Sequence, residues 1–529
     1  MAASTVSGPA RRGLRLATAV LLAGLFLAPP VPAGRVPVIF TGQLWQGEFD
    51  NGLRYANPFD PAEVELALRF TSPGGEEHQV SGYYVGDGAG GHGALWRARF
   101  VPDEAGLWRY TYEWSDGAGA GSGLILVHED KLAKLAALTG TEPPRTAPAP
   151  PFEEIPYYVA IPGPEIIDQP EGEALLDYIR DALGANGVAF VLGNRVWADC
   201  AADDVPCTPY SGLLDLGYWD QVDRLMQALE ARRLGANVMF YYDGDGRPGF
   251  EGRSSLEWLL THYAVARLAA YPRVSFDSGI DILEYRDSDW SEWFAARLAA
   301  LDPYGRPVGS RHGGGSGEFE CASCSYDSRG DIHPTYEEMR SAIEGAGKPV
   351  FFTDRWRVGF TRGDFDTDGM RRAMWEAMLA GGAGFILGGR NGPLRPEDFR
   401  SDLGDTAQYL AFGHFWSDPA RDRADYQVCN ERISTGLCYG SDGVEYVVYL
   451  PDGGTVNVDL AAWTVLAEAA WLNPRTGERT ALDPVAAGGE VAFTAPDGND
   501  WVLQVAAPPL PKLLPLITRV IGIPPPPDL

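Results

Sequence analysis

The chain of 529 residues is 45% hydrophobic and 11% aromatic, which is more apolar material than one globular core usually holds, so we expect two or three domains. Its 72 acidic and 43 basic residues give a net charge of −29. A field of that sign repels nucleic acid backbones and anionic membrane surfaces, so neither is an expected partner.

The N-terminus has the pattern of a secretory signal peptide. Arginines at positions 11, 12 and 15 precede the apolar run LATAVLLAGLFLAPP, and the triplet VPA that ends at Ala33 supplies a cleavage pattern, so residues 1–33 are the predicted signal. A retained membrane anchor is the alternative, but the run is shorter than the ~20 residues that a spanning helix needs. No later segment is predicted to span a membrane, and we expect a secreted or extracytoplasmic bacterial protein.

Residues 37–128 alternate apolar and polar positions in short runs, such as VELALRF, LWRARFV and LWRYTYEW, separated by glycine, proline and aspartate. This period of two residues predicts an antiparallel, immunoglobulin-like β-sandwich as the first domain. Proline and small residues then concentrate in TGTEPPRTAPAPP, so residues 129–150 are interpreted as a semi-rigid linker.

From residue 151 to residue 420, apolar runs alternate with amphipathic helical stretches, as in GVAFVLG, then YWDQVDRLMQALEARRLG, then ANVMFYYDGD. Strands that alternate with helices indicate parallel pairing, and a segment of this size fits the ~250 residues of a (β/α)8 TIM barrel. A doubly wound open sheet is the alternative, but no GxGxxG follows a strand to support it.

Residues 421–508 return to short alternating strands, including VEYVVYL, TVNVDL and WVLQVA, and predict a second β-sandwich. The tail, residues 509–529, is apolar but interrupted by prolines, and we interpret it as a docked or flexible end. The predicted architecture is a multidomain chain in which a central TIM barrel is flanked by two β-sandwiches.

The six cysteines form three close pairs in the sequence: Cys200 with Cys207, Cys321 with Cys324, and Cys429 with Cys438. The simplest interpretation for an exported chain is that each pair forms a disulfide that closes a local loop. A zinc site or a redox centre at Cys321 and Cys324 is the alternative, but no second pair with ligand-like spacing accompanies them.

Two acids follow predicted barrel strands. In GIDILEYRDSDW, residues 279–290, Glu284 is placed at the end of about the fourth strand, and in GKPVFFTDRW, Asp354 follows about the seventh. Catalytic groups of TIM barrels lie at the carboxyl ends of the strands, and cleavage of a glycosidic bond requires two carboxyl groups across a cleft. The alternative is that each acid caps the following helix or pairs with the neighbouring Arg286 or Arg355.

Several segments resemble known families. NPFDPAEVELALRF and RFVPDEAGLWRYTYEWS resemble the sandwich domain of unknown function found ahead of many bacterial glycoside hydrolase barrels. In the barrel, YWDQVDRLMQALEARRLGANV, HYAVARLAAYPRVSFDSGIDILEY and GKPVFFTDRW resemble the apiosidase-like glycoside hydrolases. YVVYLPDGGTVNVDL and AAWLNPRTGERTAL resemble a C-terminal domain labelled collagen-binding in such proteins.

This resemblance implies a retaining mechanism in which Glu284 is the acid/base and Asp354 is the nucleophile. Relatives often carry glutamate at the position of Asp354, so this side chain is one methylene shorter than theirs. Asp281 is an alternative acid, although strand alternation would turn it away from the face that Glu284 uses. A second hypothesis is a catalytically silent carbohydrate-binding or cell-envelope protein built on the same barrel.

Residues at other predicted strand ends are candidate substrate contacts, because sugar sites combine hydroxyl-binding groups with aromatic side chains. They are Asn194, Trp197, Tyr242, Asp243, Asp245, Arg311, His312, His333 and Trp356. An aromatic residue at a strand end more often packs in the core, so none of these is specific alone.

No cofactor or metal is expected. DFDTDG places Asp364, Asp366 and Asp368 at the spacing of a calcium loop, but Trp375 stands at the twelfth position, where such a loop needs an acid. Acids at a helix N-terminus are the preferred interpretation. The chain also lacks HExxH and GxSxG, which disfavours a metallohydrolase and an esterase. We therefore predict a secreted glycoside hydrolase that acts on a poly- or oligosaccharide.

Overall fold

The computed structural model describes residues 36–88, 90–131, 157–200, 207–312, 320–330, 332–353, 356–358, 365–382, 384–390, 392–418, 421 and 423–508, without the side chains of Asp245 and His312. The predicted signal peptide, most of the predicted linker and the tail lie outside these residues. So does Asp354.

Eight strands within residues 38–128 form two facing sheets, ordered β1-β8-β7-β3-β4 and β2-β6-β5. In β7 the large aromatic side chains occupy every second position and turn into the sandwich, while the residues between them are exposed, which is why this alternating sequence forms strands. One pair departs from the antiparallel prediction, because β1 runs parallel to β8. The strands are β1 Val38–Phe40, β2 Trp45–Phe49, β3 Leu66–Thr71, β4 Glu77–Ser81, β5 Tyr83–Gly86, β6 Leu95–Phe100, β7 Gly106–Trp114 and β8 Ala120–His128.

The central sheet is a ring of parallel strands in the order β13-β12-β11-β10-β9-β17-β16-β15-β14. Because β13 and β14 are two halves of one strand, the ring has eight members, and the predicted TIM barrel is confirmed against the open-sheet alternative. Its strands are β9 Tyr157–Ala160, β10 Gly187–Val191, β11 Gly235–Tyr241, β12 Val274–Gly279, β13 Val308–Gly309, β14 Arg311–His312, β15 Asp327–Arg329, β16 Val350–Phe352 and β17 Gly384–Leu387. The fourth strand is β12 and the seventh is β16, as the sequence predicts for the strands before Glu284 and Asp354.

The fifth strand closes the ring. Its first half, β13, pairs with β12, and its second half, β14, pairs with β15, so the two neighbours are bridged at Ser310. The Ser310 and Ser278 hydroxyl oxygens lie 2.7 Å apart, and Ser310 Oγ donates to Ser291 Oγ at 2.9 Å. These buried hydroxyls satisfy one another where the regular ladder breaks.

Helices cover the outside of the ring in the expected strand–helix alternation. Several begin at an aspartate or serine whose side chain accepts a backbone N–H, such as Asp215 before α2 and Asp287 before α4. The helices are α1 Gly172–Asp181, α2 Leu216–Arg232, α3 Ser255–Leu268, α4 Ser288–Leu301, α5 Tyr336–Ala346, α6 Thr367–Gly381, α7 Phe399–Asp402 and α8 Ala407–Trp416. No helix in the described part of the chain is long and apolar enough to cross a bilayer.

The last eight strands form a second sandwich, with sheets ordered β18-β19-β20-β25-β22-β23 and β21-β24. All their pairings are antiparallel, as predicted. The strands are β18 Gln427–Val428, β19 Leu437–Ser441, β20 Glu445–Leu450, β21 Thr455–Asp459, β22 Glu468–Leu472, β23 Arg479–Ala481, β24 Glu490–Thr494 and β25 Trp501–Ala506.

The cysteines are joined as the sequence predicts, in the disulfides Cys200–Cys207, Cys321–Cys324 and Cys429–Cys438. Each closes a loop of ten residues or fewer, so each restrains a local turn. Three disulfides are typical of extracytoplasmic proteins.

A buried ion cluster docks the first sandwich onto the barrel. Arg99 of β6 pairs with Asp223 of α2 at 2.8 Å, and Arg267 of α3 pairs with the other oxygen of the same carboxylate at 2.8 Å. Burial raises the pKa of Asp223, but the Arg267 and Arg99 guanidiniums outweigh it and hold that pKa at about 2. The Asp223 carboxylate therefore stays charged between two domains.

The second sandwich is docked by a similar pair with the roles reversed. Arg371 of α6 makes two bonds to the buried Asp500, of 2.8 and 3.1 Å, and Tyr449 Oη donates to the same carboxylate at 3.0 Å. The Trp375 ring stacks on the Tyr449 ring with centroids 6.2 Å apart. The hydrophobic core is likewise continuous from the first sandwich through the barrel to the inner sheet of the second.

Asp223→Asn should destabilise the protein by about 3–5 kcal/mol, because it leaves two buried guanidiniums without their counter-ion. The pKa of Asp223 is lowered from 3.8 to about 2 on folding, so its stabilisation is full above pH 3.8 and is lost as the pH falls towards 2. Thermal and urea unfolding of the variant should accordingly depend less on pH over this range.

The matched control is Asp220→Asn, three residues earlier on α2, which removes a more exposed pair with Arg224. Its cost should stay below about 1 kcal/mol. Equal effects of the two substitutions would show that the buried cluster does not hold the domains together.

Candidate active site

Two acids lie side by side where the third and fourth barrel strands end. Tyr241 and Gly279 are paired at the ends of β11 and β12, and Ile280 N still donates to Tyr241 O at 2.9 Å. Asp281 is thus the first residue beyond this ladder, and Asp243 follows Tyr241 by two positions. Because the strands are parallel, both acids reach the same face of the barrel, the one at the carboxyl ends of its strands.

Glu284 joins these two acids. A carboxylate oxygen of each of Asp243, Asp281 and Glu284 lies within 4.8 Å of the others. β12 ends at Gly279, and residues Ile282–Glu284 form a short 3₁₀ helix with Asp281 at its N-cap. Residues three apart are eclipsed in such a helix, so the expectation that Asp281 faces away from Glu284 is wrong.

The backbone of Asp281 is held in the left-handed region, with φ 43° and ψ 54°. Few residues other than glycine adopt it, and strain of this kind concentrates at functional sites. The side chain is anchored as well, because Arg311 Nη2 lies 3.1 Å from Asp281 Oδ1 and the Arg311 side chain is only 6% exposed. Asp281 is therefore fixed in both its backbone and its side chain.

Arg311 is positioned by the strand that closes the barrel. It is the first residue of β14, and its backbone N–H donates to Ser278 Oγ at 3.2 Å. The Ser278 hydroxyl thus fixes the backbone from which the Arg311 side chain reaches Asp281. This arrangement could not be predicted from the sequence, because nothing distinguishes these serines from others.

Tyr285 completes the wall beside the acids. Its hydroxyl donates to Ile280 O at 3.2 Å. Burial raises its pKa well above the usual value, and the charges of Asp243 and Asp281 raise it further against the opposing Arg286 and Arg311 guanidiniums. The phenol therefore keeps its proton near neutral pH. Sequence analysis missed this residue, although it directly follows Glu284.

The acids of the stretch 279–290 divide into two groups. Asp281 and Glu284 face the cluster, whereas Asp287 accepts the N–H of Trp290 at 2.8 Å and caps α4. Asp287 is thus a helix cap, whereas the side chain of Asp281 makes no capping bond to the 3₁₀ helix that follows it. Glu284 is exposed and borders an open cavity of about 600 Å³ on the outer side of the cluster.

A separate acid, Asp277, lies deeper in the barrel. It is buried, and Tyr326 Oη donates to it at 3.1 Å. Burial raises the pKa of Asp277, which favours its neutral form. Asp277 belongs to the packed polar interior with Asn237 and Tyr326, below the cluster of Asp243, Asp281 and Glu284.

Among the predicted substrate contacts, Asp243 and Arg311 lie in the cluster, and Tyr242 packs against the upper interior of the barrel. Asn194 is buried, and its amide donates to Gly246 O at 3.1 Å, so it supports the loop after β11. His333 is exposed on the loop after β15. The side chains of Asp245 and His312 lie outside the described atoms.

Trp197 and Trp356 are not sugar contacts in this structure. Each is 1% exposed. Trp197 packs against the Phe250 ring with centroids 5.9 Å apart, and Trp356 stacks on Phe385 at 4.3 Å. The core-packing alternative is therefore correct for both.

Two of the predicted acids at a helix N-terminus are found at the start of α6, Asp366 as its N-cap and Asp368 in its first turn. Asp366 caps this helix by accepting the N–H of Gly369 at 2.7 Å, and Asp368 pairs with Arg371 at 2.6 Å. Asp364 lies outside the described residues. Within the described part of the chain, Asp243, Asp281 and Glu284 form the one group spaced closely enough to hold a metal ion.

Two family models match parts of the chain. Residues 44–115 match a domain of unknown function, DUF5060, and residues 438–506 match the "putative collagen-binding domain of a collagenase". They fall within the first and second sandwiches, as the resemblances in the sequence predict. No curated protein matches the chain.

Solved structures resemble the chain over most of its length. A "putative glycoside hydrolase" from Bacteroides vulgatus ATCC 8482 aligns with a TM-score of 0.67 and 16% identity, over 89% of this chain and 99% of that one. A family 5 glycoside hydrolase from the same organism aligns with a TM-score of 0.51 and 13% identity, over 68% and 91%. These likenesses establish the fold, which is one that glycoside hydrolases use. The apiosidase-like assignment stays a prediction.

Asp281→Gly should be more stable than Asp281→Ala by about 1 kcal/mol, because both lose the carboxylate but only glycine adopts a positive φ without strain. At Glu284, inside the 3₁₀ helix, the order should reverse, with alanine the more stable. Denaturant midpoints of the four variants measure both differences. An alanine variant at position 281 as stable as the glycine variant would mean that the backbone there is not strained.

Proposed function

We propose that the protein is a secreted glycoside hydrolase that cleaves a poly- or oligosaccharide by a retaining, two-carboxylate mechanism. The observation that carries the proposal is the fixed acid at the end of the fourth barrel strand, Asp281, with Asp243, Glu284 and Arg311 around it. The barrel fold supports it, because TIM-barrel enzymes place their chemistry at this face.

Two residues are candidates for the acid/base. Glu284 is the candidate from the sequence, and it is exposed on the outer side of the cluster. Asp281 directly follows the strand ladder, is conformationally strained and is held by Arg311. Since a catalytic group must be held rigidly at the reacting bond, the geometry favours Asp281 as the acid/base and Glu284 as a group that binds the leaving-group sugar.

Asp354 remains the proposed nucleophile. The seventh strand, β16, stands three strands from β12 by way of the fifth strand and five strands from it the other way around the ring. Acids that follow the fourth and seventh strands can therefore approach each other across the mouth of the barrel. Such an arrangement suits a pair that flanks one glycosidic bond.

In the proposed reaction, the protonated acid/base gives its proton to the glycosidic oxygen while the Asp354 carboxylate attacks the anomeric carbon. The bond to the leaving sugar breaks, and a covalent glycosyl-enzyme forms. The same acid/base, now ionised, then takes a proton from water, which attacks the anomeric carbon and releases Asp354. Arg311 Nη2 holds Asp281 Oδ1 at 3.1 Å, so Oδ2 is the oxygen that gives up the proton in the first step and takes it back in the second.

A catalytically silent carbohydrate-binding protein is the second candidate. One observation favours it, because relatives of this type often carry glutamate where this chain has the shorter Asp354. Export is part of both proposals. The signal pattern ending at Ala33 and the three disulfides support it.

Asp281→Asn should lower turnover of natural glycans by about 10²–10⁴-fold, because the amide cannot protonate the leaving oxygen. With aryl glycosides that have good leaving groups, the rate of the first step, formation of the glycosyl-enzyme, should be little affected. Asp354→Asn should abolish turnover of both substrate types, since no covalent intermediate can form. Glu284→Gln should act mainly on KM. Steady-state kinetics on a natural glycan and on an aryl glycoside that the wild type cleaves, with burst kinetics for the first step, measure all three.

The outcomes separate the alternatives. If Glu284→Gln showed the leaving-group dependence instead of Asp281→Asn, Glu284 would be the acid/base. Near-normal rates in Asp354→Asn would contradict the retaining mechanism. A wild type that binds glycans but cleaves none would favour the silent barrel.

A further inference from the structure

Two tryptophans on neighbouring barrel helices, one exposed and one partly buried, form an aromatic pair. Trp258 lies in the first turn of α3 and is 43% exposed, and of the described tryptophans it alone is exposed. Its ring centroid is 5.9 Å from that of Trp293 on α4, which is partly exposed. The Arg297 guanidinium covers the Trp258 ring at 3.8 Å from its centroid. The indoles are thus held in place by each other and by Arg297.

This aromatic pair adjoins the cavity beside Glu284. Asp289, Trp293 and Arg297 are spaced four residues apart, so they follow one side of α4. Asp289 borders the cavity, and its carbonyl accepts a bond from Arg253 at 2.6 Å. Since a helical turn rises about 5.4 Å, the indoles begin roughly one turn from the edge of the cavity.

Glu284 connects this cavity to the acid cluster. It borders the cavity of about 600 Å³, and its carboxylate lies within 4.8 Å of Asp281. A path therefore leads outward between the loops after the third and fourth strands. It starts at the proposed acid/base, passes through the cavity and ends at the two indoles. A cavity of this size holds a small ligand or a sugar residue.

The charge along this path is negative. The acids that line the cavity are Glu251, Glu284, Asp287 and Asp289, and its cations are Arg253 and Arg286. The whole chain carries −29. Such a surface repels uronates and sulfates, whereas carboxylates accept hydrogen bonds from sugar hydroxyls.

We propose that an uncharged polysaccharide bound in the cleft continues through the cavity beside Glu284 and stacks on Trp258 and Trp293. The proposal rests on the glycosidase function proposed above. It names an extended, uncharged glycan as the substrate class and the indole pair as a binding site outside the cleft. Arg297 covers one face of the Trp258 indole, so the opposite face is the one that would match the apolar face of a sugar ring, and the acids of the cavity match its hydroxyl edge.

Native gels that contain arabinoxylan, xyloglucan, galactomannan or mixed-linkage β-glucan test this binding with the full chain. The Asp354→Asn background prevents the polymer from being digested during the run. We expect retardation by at least one neutral polymer, about tenfold weaker affinity in Trp258→Ala, and substantial recovery in Trp258→Phe, which keeps an aromatic ring. Polygalacturonate should cause no retardation.

The control is Phe40→Ala, which removes an aromatic side chain of similar exposure, 47%, from the first sandwich. It should bind like the background chain. Three results would each overturn the proposal. They are equal retardation of Trp258→Ala and the background chain, retardation by polygalacturonate, and no retardation by any neutral polymer. So would sedimentation data in which Trp258→Ala converts a dimer to a monomer, because the indoles would then be a protein interface.

The two proposals can fail separately. Retardation that Trp258 does not influence would remove the indole site and leave the catalytic proposal intact. Loss of binding in Trp258→Ala, in a protein that cleaves no glycan, would support the indole site and count against the hydrolase.

Discussion

The contact between Ser278 on the fourth strand and the fifth strand, at Ser310 and Arg311, is the interaction on which the rest of the structure depends. One hydroxyl, that of Ser278, receives the backbone N–H of Arg311 and lies 2.7 Å from the Ser310 hydroxyl. It closes the ring where β13 and β14 part, and it places the guanidinium that holds Asp281. The same hydroxyl therefore contributes both to closing the barrel and to orienting the proposed acid.

The two sandwiches are attached to this barrel through buried charges as well as apolar packing. Arg99 of the first sandwich reaches Asp223, and Arg371 of the barrel reaches Asp500 of the second. Buried ion pairs add little net stability over well-packed apolar residues, but breaking one is costly. Loss of either partner is therefore expected to destabilise the docked domains, and the continuous core adds apolar contacts across both interfaces.

Much of the fold follows from sequence periodicity. Alternation of period two marks the sandwiches, and alternation of strands with helices marks the barrel, down to the fourth and seventh positions of the strands before Glu284 and Asp354. The parallel pairing of β1 with β8 was not predictable, because it depends on where a short edge strand docks.

The site was predicted less completely, and the reason is local backbone geometry. The apolar pattern of GIDILE predicts a strand that continues to Glu284. In the structure the strand ends at Gly279, Asp281 adopts a left-handed conformation, and a 3₁₀ helix brings Glu284 beside Asp281. No periodic pattern encodes a single residue with φ 43°. The burial of Trp197 and Trp356 could not be predicted from the sequence either, since an indole at a strand end can face either the core or the cleft.

The central claim is that acids after the fourth and seventh strands form one catalytic pair. A crystal structure with a bound sugar, in which the carboxyl groups of Asp281 and Asp354 are measured, tests it most directly. The account predicts a separation of ~5–5.5 Å across the sugar, as a retaining pair requires. A separation of ~6.5–9.5 Å would indicate inversion instead, and an Asp354 side chain directed out of the cleft would contradict the account.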